Sequence, residues 1–171
     1  EAKNLAQEIV DLNDARKNMT KEGVDRAINI IDSTDINNDK ILVVYIPDIH
    51  ESLAGIVAGR VKEKYNKPTI ILTKSEEGVK GSARSIACKE LLDKFGGHPM
   101  AAGLSLQEDK VDELRIALNN KCELTDEDLT RKIMIDSSLP LEYLNLHLIE
   151  ELNVLEPFGK GNAKPVFGVR D

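Results

Sequence analysis

Tryptophan is absent from this 171-residue sequence, and phenylalanine and tyrosine occur three times each, so aromatic residues are 4% of the chain. That scarcity argues against a free-standing single-strand binder, which stacks bases on aromatic rings. It also leaves the core to aliphatic side chains. There are only two cysteines, Cys88 and Cys122, without Cys-x-x-Cys spacing or a nearby histidine cluster, and they read as ordinary reduced thiols. No apolar run approaches the ~20 residues of a membrane helix, and the N-terminal stretch lacks the basic, apolar, small-residue order of a signal peptide. A cytoplasmic location with no membrane partner is the expectation. Residue 1 is Glu rather than Met, which points to a piece of a longer chain.

The net charge is −7, which disfavours nonspecific nucleic-acid binding by the whole surface. The distribution is uneven, however. Residues 60–94 hold nine Lys/Arg against five acids, while the segments on either side are negative. A phosphate-bearing ligand is the natural inference for such a segment, although a run of lysines also suits a solvated face.

Leu5, Ile9, Leu12, Met19, Val24, Ile28 and Ile31 recur at near-helical spacing, which predicts a long amphipathic helix. Its length suits a connector (residues 1–34) better than a core element, with Gly23 a possible bend. An α/β domain is expected over 35–125. Residues 41–46 form an unbroken β-rich apolar run, predicted as a strand buried on both faces. A helix follows from about Ser52 to Tyr65, Pro68 stops it, and 69–73 supply a second buried strand, giving a right-handed βαβ unit. Ala54-Gly55 and Ala58-Gly59 should let that helix lie close to the sheet. Further strands are expected at 79–85, 101–106 and 131–136, with a surface helix at 111–121. The acidic run 123–128 reads as a solvated loop. A helix opening at Pro140 should run to Leu152 and carry His147 in a structural role, and 126–171 forms a linker into a last, incomplete domain.

Three places offer chemistry. Beyond the carboxyl end of the first strand, where open α/β sheets bind ligands, stand Asp48, His50, Glu51 and Ser52; His50 would either serve a site or brace the helix start. On the strand at 79–85, period two sets Ser82 and Arg84 on one face, so that a hydroxyl and a guanidinium can converge on one phosphate, with Ser85 beside them. In Gly96-Gly97-His98-Pro99 the glycines can turn consecutive N–H groups toward an anion as a nest with His98 at its rim, or they can simply end a helix with a left-handed cap. The dipole of a helix ending there disfavours an anion on its axis. The junction between Ser85 and a helix opening near Ala87 is shorter than the ~2–6 residues usual for such loops, which points either to an unusual deletion in the protein or to residues missing from the sequence between Ile86 and Ala87.

The string Gly96-Gly97-His98-Pro99-Met100-Ala101-Ala102-Gly103 resembles the signature of the DHHA1 domain, the substrate-binding half of the DHH phosphoesterase superfamily. With Pro47-Asp48-Ile49-His50-Glu51, Gly81-Ser82-Ala83-Arg84-Ser85 and Leu155-Glu156-Pro157-Phe158-Gly159-Lys160-Gly161-Asn162, the order resembles the RecJ family of single-strand-specific 5′→3′ DNA exonucleases, enzymes of DNA repair and recombination. The resemblance implies a mixed α/β sheet with flanking helices, preceded by a connector helix and followed by the start of an oligonucleotide-binding (OB-like) barrel. It implies single-stranded DNA as ligand. Ser82 and Arg84 would hold the 5′-phosphate end, with Ser85, Gly96, Gly97, His98 and His50 contributing and His98 supporting catalysis. It further implies Mn²⁺ or Mg²⁺ held by a DHH catalytic domain outside this chain, that domain and the rest of the OB-like domain as partners, and no metal bound by residues 1–171 themselves. The Asp-His-His string of the superfamily does not occur here, so these residues can position a substrate without hydrolysing it. Two other readings stay open: the DHHA1 part of a smaller phosphodiesterase acting on short RNA oligomers or cyclic dinucleotides, and a non-enzymatic nucleic-acid-binding or partner-docking module.

Overall fold

A computed structural model describes residues 2–76, 78–86 and 101–169. The chain divides into two compact units, Glu1–Thr130 and Arg131–Asp171.

The first unit opens with α1 (Ala2–Ser33), which runs without a break through Gly23. Its N-terminal half leaves Leu5, Ile9 and Leu12 exposed, whereas Gly23, Ala27 and Ile31 are buried. The helix expected as a connector therefore also belongs to the core, because its last turns pack on the following βαβ unit. A 3-10 turn at Asp35–Asn38, capped by Thr34, leads into β1 (Leu42–Tyr45). Then follow α2 (Glu51–Tyr65), β2 (Thr69–Ser75), β3 (Gly78–Arg84), β4 (Ala101–Leu106) and α3 (Val111–Asn120). Asn66 ends α2 in the left-handed conformation at φ 51°, which Asn tolerates better than most residues, and Pro68 prevents the helix from continuing.

The sheet order is β1-β2-β3-β4, with β1 parallel to β2 and the other pairs antiparallel. This is the mixed sheet with flanking helices that the family resemblance implies. On one face Leu42, Val44 and Ile71 meet Leu53, Val57 and Val61 of α2 and Ala27 and Ile31 of α1. On the other, Ile41, Val43, Ile70, Leu72, Val79 and Ala83 pack against Val111, Leu114 and Leu118 of α3. Each aliphatic side chain fully buried in this way contributes about 1.5–3 kcal/mol. Alternation along β1 and β2 thus serves two cores, which explains apolar runs without a polar face.

Polar side chains fix the joints. Asn119 of α3 accepts from the amides of Lys40 and Ile41 at 2.9 and 3.0 Å and donates to the Ile41 carbonyl at 3.0 Å, tying the helix to the start of β1. Arg115, one turn earlier, bridges Asp39 and Asp35. Thr73, fully buried on β2, donates to the Ile49 carbonyl at 2.6 Å and so fixes the loop that carries Asp48 and His50.

Tyr65 at the end of α2 donates to Asp32 of α1 at 2.6 Å. Burial, followed by the Asp32 hydrogen bond and charge, pushes its phenol up to about 12. A phenol held neutral in the folded state and titrating near 10 when unfolded stabilises the fold fully below pH ~10. That contribution is lost as the pH rises toward about 12. In an absorbance-monitored alkaline titration, Tyr65→Phe is expected to remove this late phenolate transition. Removal of an ordinary transition near pH 10 instead would show that Asp32 does not hold the hydroxyl.

After α3 the acidic run is more ordered than a solvated loop. Thr125 and Asp128 form a capping box that starts the short helix α4 (Asp126–Leu129), so Asp128 is occupied as a cap.

The second unit departs from the sequence reading in three respects. Residues 131–136 form no strand; among the described residues the strands of this unit are β5 (Ser137–Ser138) and β6 (Phe167–Gly168), paired in parallel, with one isolated antiparallel bridge between Gly159 and Asn162. The helix expected from Pro140 is a single 3-10 turn at Leu141–Tyr143, and α5 (Leu146–Asn153) begins only after Asn145, whose side chain accepts from the Leu148 amide at 3.0 Å. An Asn N-cap outcompetes Pro140 as the start signal because it satisfies an amide that proline leaves open. His147 on α5 is exposed, with Glu151 3.6 Å away, and does not serve as a packed structural residue.

Candidate functional site

The open half of the sheet face beside α2 is built by the alternation of β3. Lys80, Ser82 and Arg84 share that face, and the antiparallel register sets Ser105, Gly103 and Ala101 of β4 opposite them. A cleft of about 540 Å³ lies here, bounded by Glu51, Ser52 and Ala54 of α2, Thr73 of β2, Lys80 and Ser82 of β3, and Gly103 and Ser105 of β4. Its small residues leave the sheet backbone approachable, since neither Gly103 nor Ala54 fills the space a larger side chain would.

Ser82 and Arg84 meet, as period two predicts. Arg84 Nη1 donates to Ser82 Oγ at 2.8 Å and to the Ala83 carbonyl at 2.8 Å. The guanidinium is half-buried, and among the described residues no carboxylate pairs with it. It reaches this position because α2 carries a glycine at the crossing: a Cβ on Gly55 would lie 2.6 Å from Arg84 Nη2 and 3.1 Å from Ser82 Oγ. Close helix–sheet approach at Gly55 follows the sequence reading, but what approaches is the guanidinium rather than sheet backbone. Gly59 has open space around it and plays no such part. A cation that is partly desolvated and uncompensated favours an anion beside it, and a guanidinium with a hydroxyl at its edge suits a terminal phosphate.

Lys80 closes the far end of the cleft through an ion pair with Glu51 at 3.0 Å, which offsets the one acid bordering the site. His50 stands apart. It caps α2, its Nδ1 lying 2.7 Å from Ser52 Oγ and accepting from the Ser52 amide at 3.3 Å. It lines a neighbouring recess with Asp48 and Lys74, which shares Glu51 and Lys80 with the cleft. The structure therefore gives His50 the bracing role and sets it next to the Ser82–Arg84 pair without touching it. Ser85 is 2% exposed and lines an apolar groove with Arg84, Ile70, Ala83 and Leu118, but its hydroxyl has no hydrogen-bond partner among the described residues. Gly96, Gly97, His98 and the Ile86–Ala87 junction lie outside the described residues. Among the described residues no group of three or more His, Cys, Asp or Glu stands together to hold a metal ion, and no helix is long and apolar enough to cross a membrane.

Sequence reasoning missed two features. Gly55 was visible only as a small residue, because its partner lies 29 positions away on another element. The basic segment at 60–94 proved a poor guide to free charge, since Lys64 pairs with Asp32, Lys80 with Glu51, and Lys67 donates to the Asn37 carbonyl.

The family model described as the DHHA1 domain matches residues 38–124, and that of the RecJ OB domain matches residues 135–171. The chain is 36% identical to a single-stranded-DNA-specific exonuclease RecJ of Bacillus subtilis over 96% of this chain and 23% of the relative. To the Escherichia coli protein of the same name it is 30% identical over 98% of this chain and 32% of the relative. A crystal structure of RecJ from Thermus thermophilus in complex with Mg²⁺ superposes with a TM-score of 0.79 at 26% identity, over 97% of this chain and 27% of that one. The chain thus spans less than a third of the length of each of these relatives.

Proposed function

The chain belongs to the DHHA1 domain family, and from that premise we propose that it is the substrate-binding part of a RecJ-like single-stranded-DNA exonuclease, holding the 5′-phosphate end of the strand at Ser82 and Arg84. The observation that carries this reading is the half-buried guanidinium of Arg84, shaped by Ser82 and Gly55 and unpaired with any carboxylate among the described residues. His98, with Gly96 and Gly97, would face the reacting phosphate in the parent enzyme. The parent's DHH domain would hold Mn²⁺ or Mg²⁺, whose chemistry is the activation of water for phosphodiester hydrolysis. The work left to these residues is to bind and orient the strand in the cytoplasm. A second domain, OB-like in its match from 135 onward, would guide the strand away from its end.

The test separates binding from chemistry. The 171-residue chain should retain 5′-phosphorylated single-stranded DNA and should not shorten it in Mn²⁺ or Mg²⁺, as followed by a labelled-strand degradation assay. Metal-dependent degradation that persists through repurification would overturn the division of labour, and a preference for short RNA or cyclic dinucleotides over DNA would move the reading to the smaller phosphodiesterases.

A further inference from the structure

A second cationic surface lies on the other side of α2 from Ser82 and Arg84. Arg16, Lys17 and Lys21 of α1 and Arg60 of α2 surround a groove of about 320 Å³ floored by Val24 and Ile56, with no carboxylate in its lining. The spacing makes this a deliberate face: 16, 20 and 24 stack on successive turns of α1, and 56 and 60 do so on α2. In a protein of net charge −7, a groove lined by four cations and no acid is not the mixed pattern of an ordinary solvated helix face.

Little holds these charges in place internally. Lys21 and Arg60 are exposed and make no ion pair among the described residues. Lys17 pairs with Asp14 at 2.9 Å, but both side chains are more than half exposed, and such a pair is easily given up. Arg16 donates to Asn13, which leaves its charge uncompensated. Thr20 spends its hydroxyl proton on the Arg16 carbonyl, so recognition falls to the cations. The floor offers no ring for stacking, and Ile56 is 39% exposed. A phosphodiester backbone fits this surface better than a base does.

We propose that the α1–α2 groove holds backbone phosphates of the same single strand whose 5′ end sits at Arg84. Gly55, which faces Arg84, and Ile56, which floors the groove, are consecutive residues of α2 that point about 100° apart, so the two cation sets lie on adjoining faces at one turn of the helix and a strand leaving the end site reaches the groove by crossing α2. The inference rests on the single-strand reading above, but its residues are different.

The experiment is a salt titration of the intact chain binding a short 5′-phosphorylated oligothymidylate. Replacing Lys21 and Arg60 together by Ala should reduce the slope of log affinity against log salt by about 1.4, at ~0.7 per phosphate contact on a single strand. The charge-conserving pair Lys21→Arg with Arg60→Lys should keep the slope. An unchanged slope in the alanine pair, with binding otherwise intact, overturns the groove and leaves the end site standing. Loss of slope in both pairs shows a packing effect and also overturns it. If the unaltered chain binds no strand, the single-strand reading fails and takes the groove with it. If polyglutamate outcompetes the oligothymidylate at this surface, the groove serves an acidic protein segment instead.

Discussion

Arg84→Ala is expected to weaken binding of 5′-phosphorylated single strands by about 1.5–3 kcal/mol, roughly ten- to a hundredfold, with little change for 5′-hydroxyl strands, because on the proposed reading it removes charge-assisted hydrogen bonds to the terminal phosphate. The magnitude follows from the environment. An exposed arginine on a solvated face would be worth a few tenths of a kcal/mol to any one contact, but this guanidinium is half-buried, fixed by Ser82 Oγ at 2.8 Å and by the Ala83 carbonyl. Its loss should leave the fold intact, since the hydroxyl of Ser82 remains beside an open cleft and can take water. Ser82→Ala should act in the same direction and more weakly, as a neutral hydroxyl does relative to a cation. Lys74→Ala, on the exposed recess beside His50, should lower affinity for both kinds of strand equally. Equal losses on both strands for Arg84→Ala would show Arg84 to be another backbone contact, and competitive binding measured with matched strands distinguishes the cases.

The α/β core was legible because its signals are local. Pro68, the β-rich runs at 41–46 and 69–73 and the helical spacing between them specify a βαβ unit without reference to the rest of the chain. Ser82 and Arg84 were legible as a pair because strand periodicity alone sets them on one face. The second unit was not, because its elements are short and carry weak signals: the apolar run Ile133-Met134-Ile135 looks like a strand, yet all three side chains are exposed and pairing begins two residues later. Nor was the division of α1, whose apolar stripe is continuous in sequence while only its last turns are covered. The cationic groove escaped for the converse reason: Arg16, Lys17 and Lys21 lie on one helix, and only the fold brings Arg60 of another opposite them.

Gly55→Ala makes the sharpest demand on this arrangement, since stability and binding should move apart. Gly55 lies inside α2, where exchanging glycine for alanine favours the helix by up to about 1 kcal/mol. The new Cβ would stand 2.6 Å from Arg84 Nη2, closer than side-chain carbons approach a neighbour, and 3.1 Å from Ser82 Oγ. What must yield is the tip of a long side chain and not backbone, so the guanidinium swings aside at small cost to the fold. The variant should then melt at or near the temperature of the unaltered protein while losing discrimination between 5′-phosphate and 5′-hydroxyl strands nearly as far as Arg84→Ala, again about ten- to a hundredfold. Combining the two substitutions should add little to either alone, because both remove one interaction. Thermal melts beside paired binding curves check all three outcomes. Full discrimination in Gly55→Ala would mean that Arg84 does not act from beneath α2. A melting temperature lowered by many degrees would mean that backbone, not the guanidinium, gives way at the crossing.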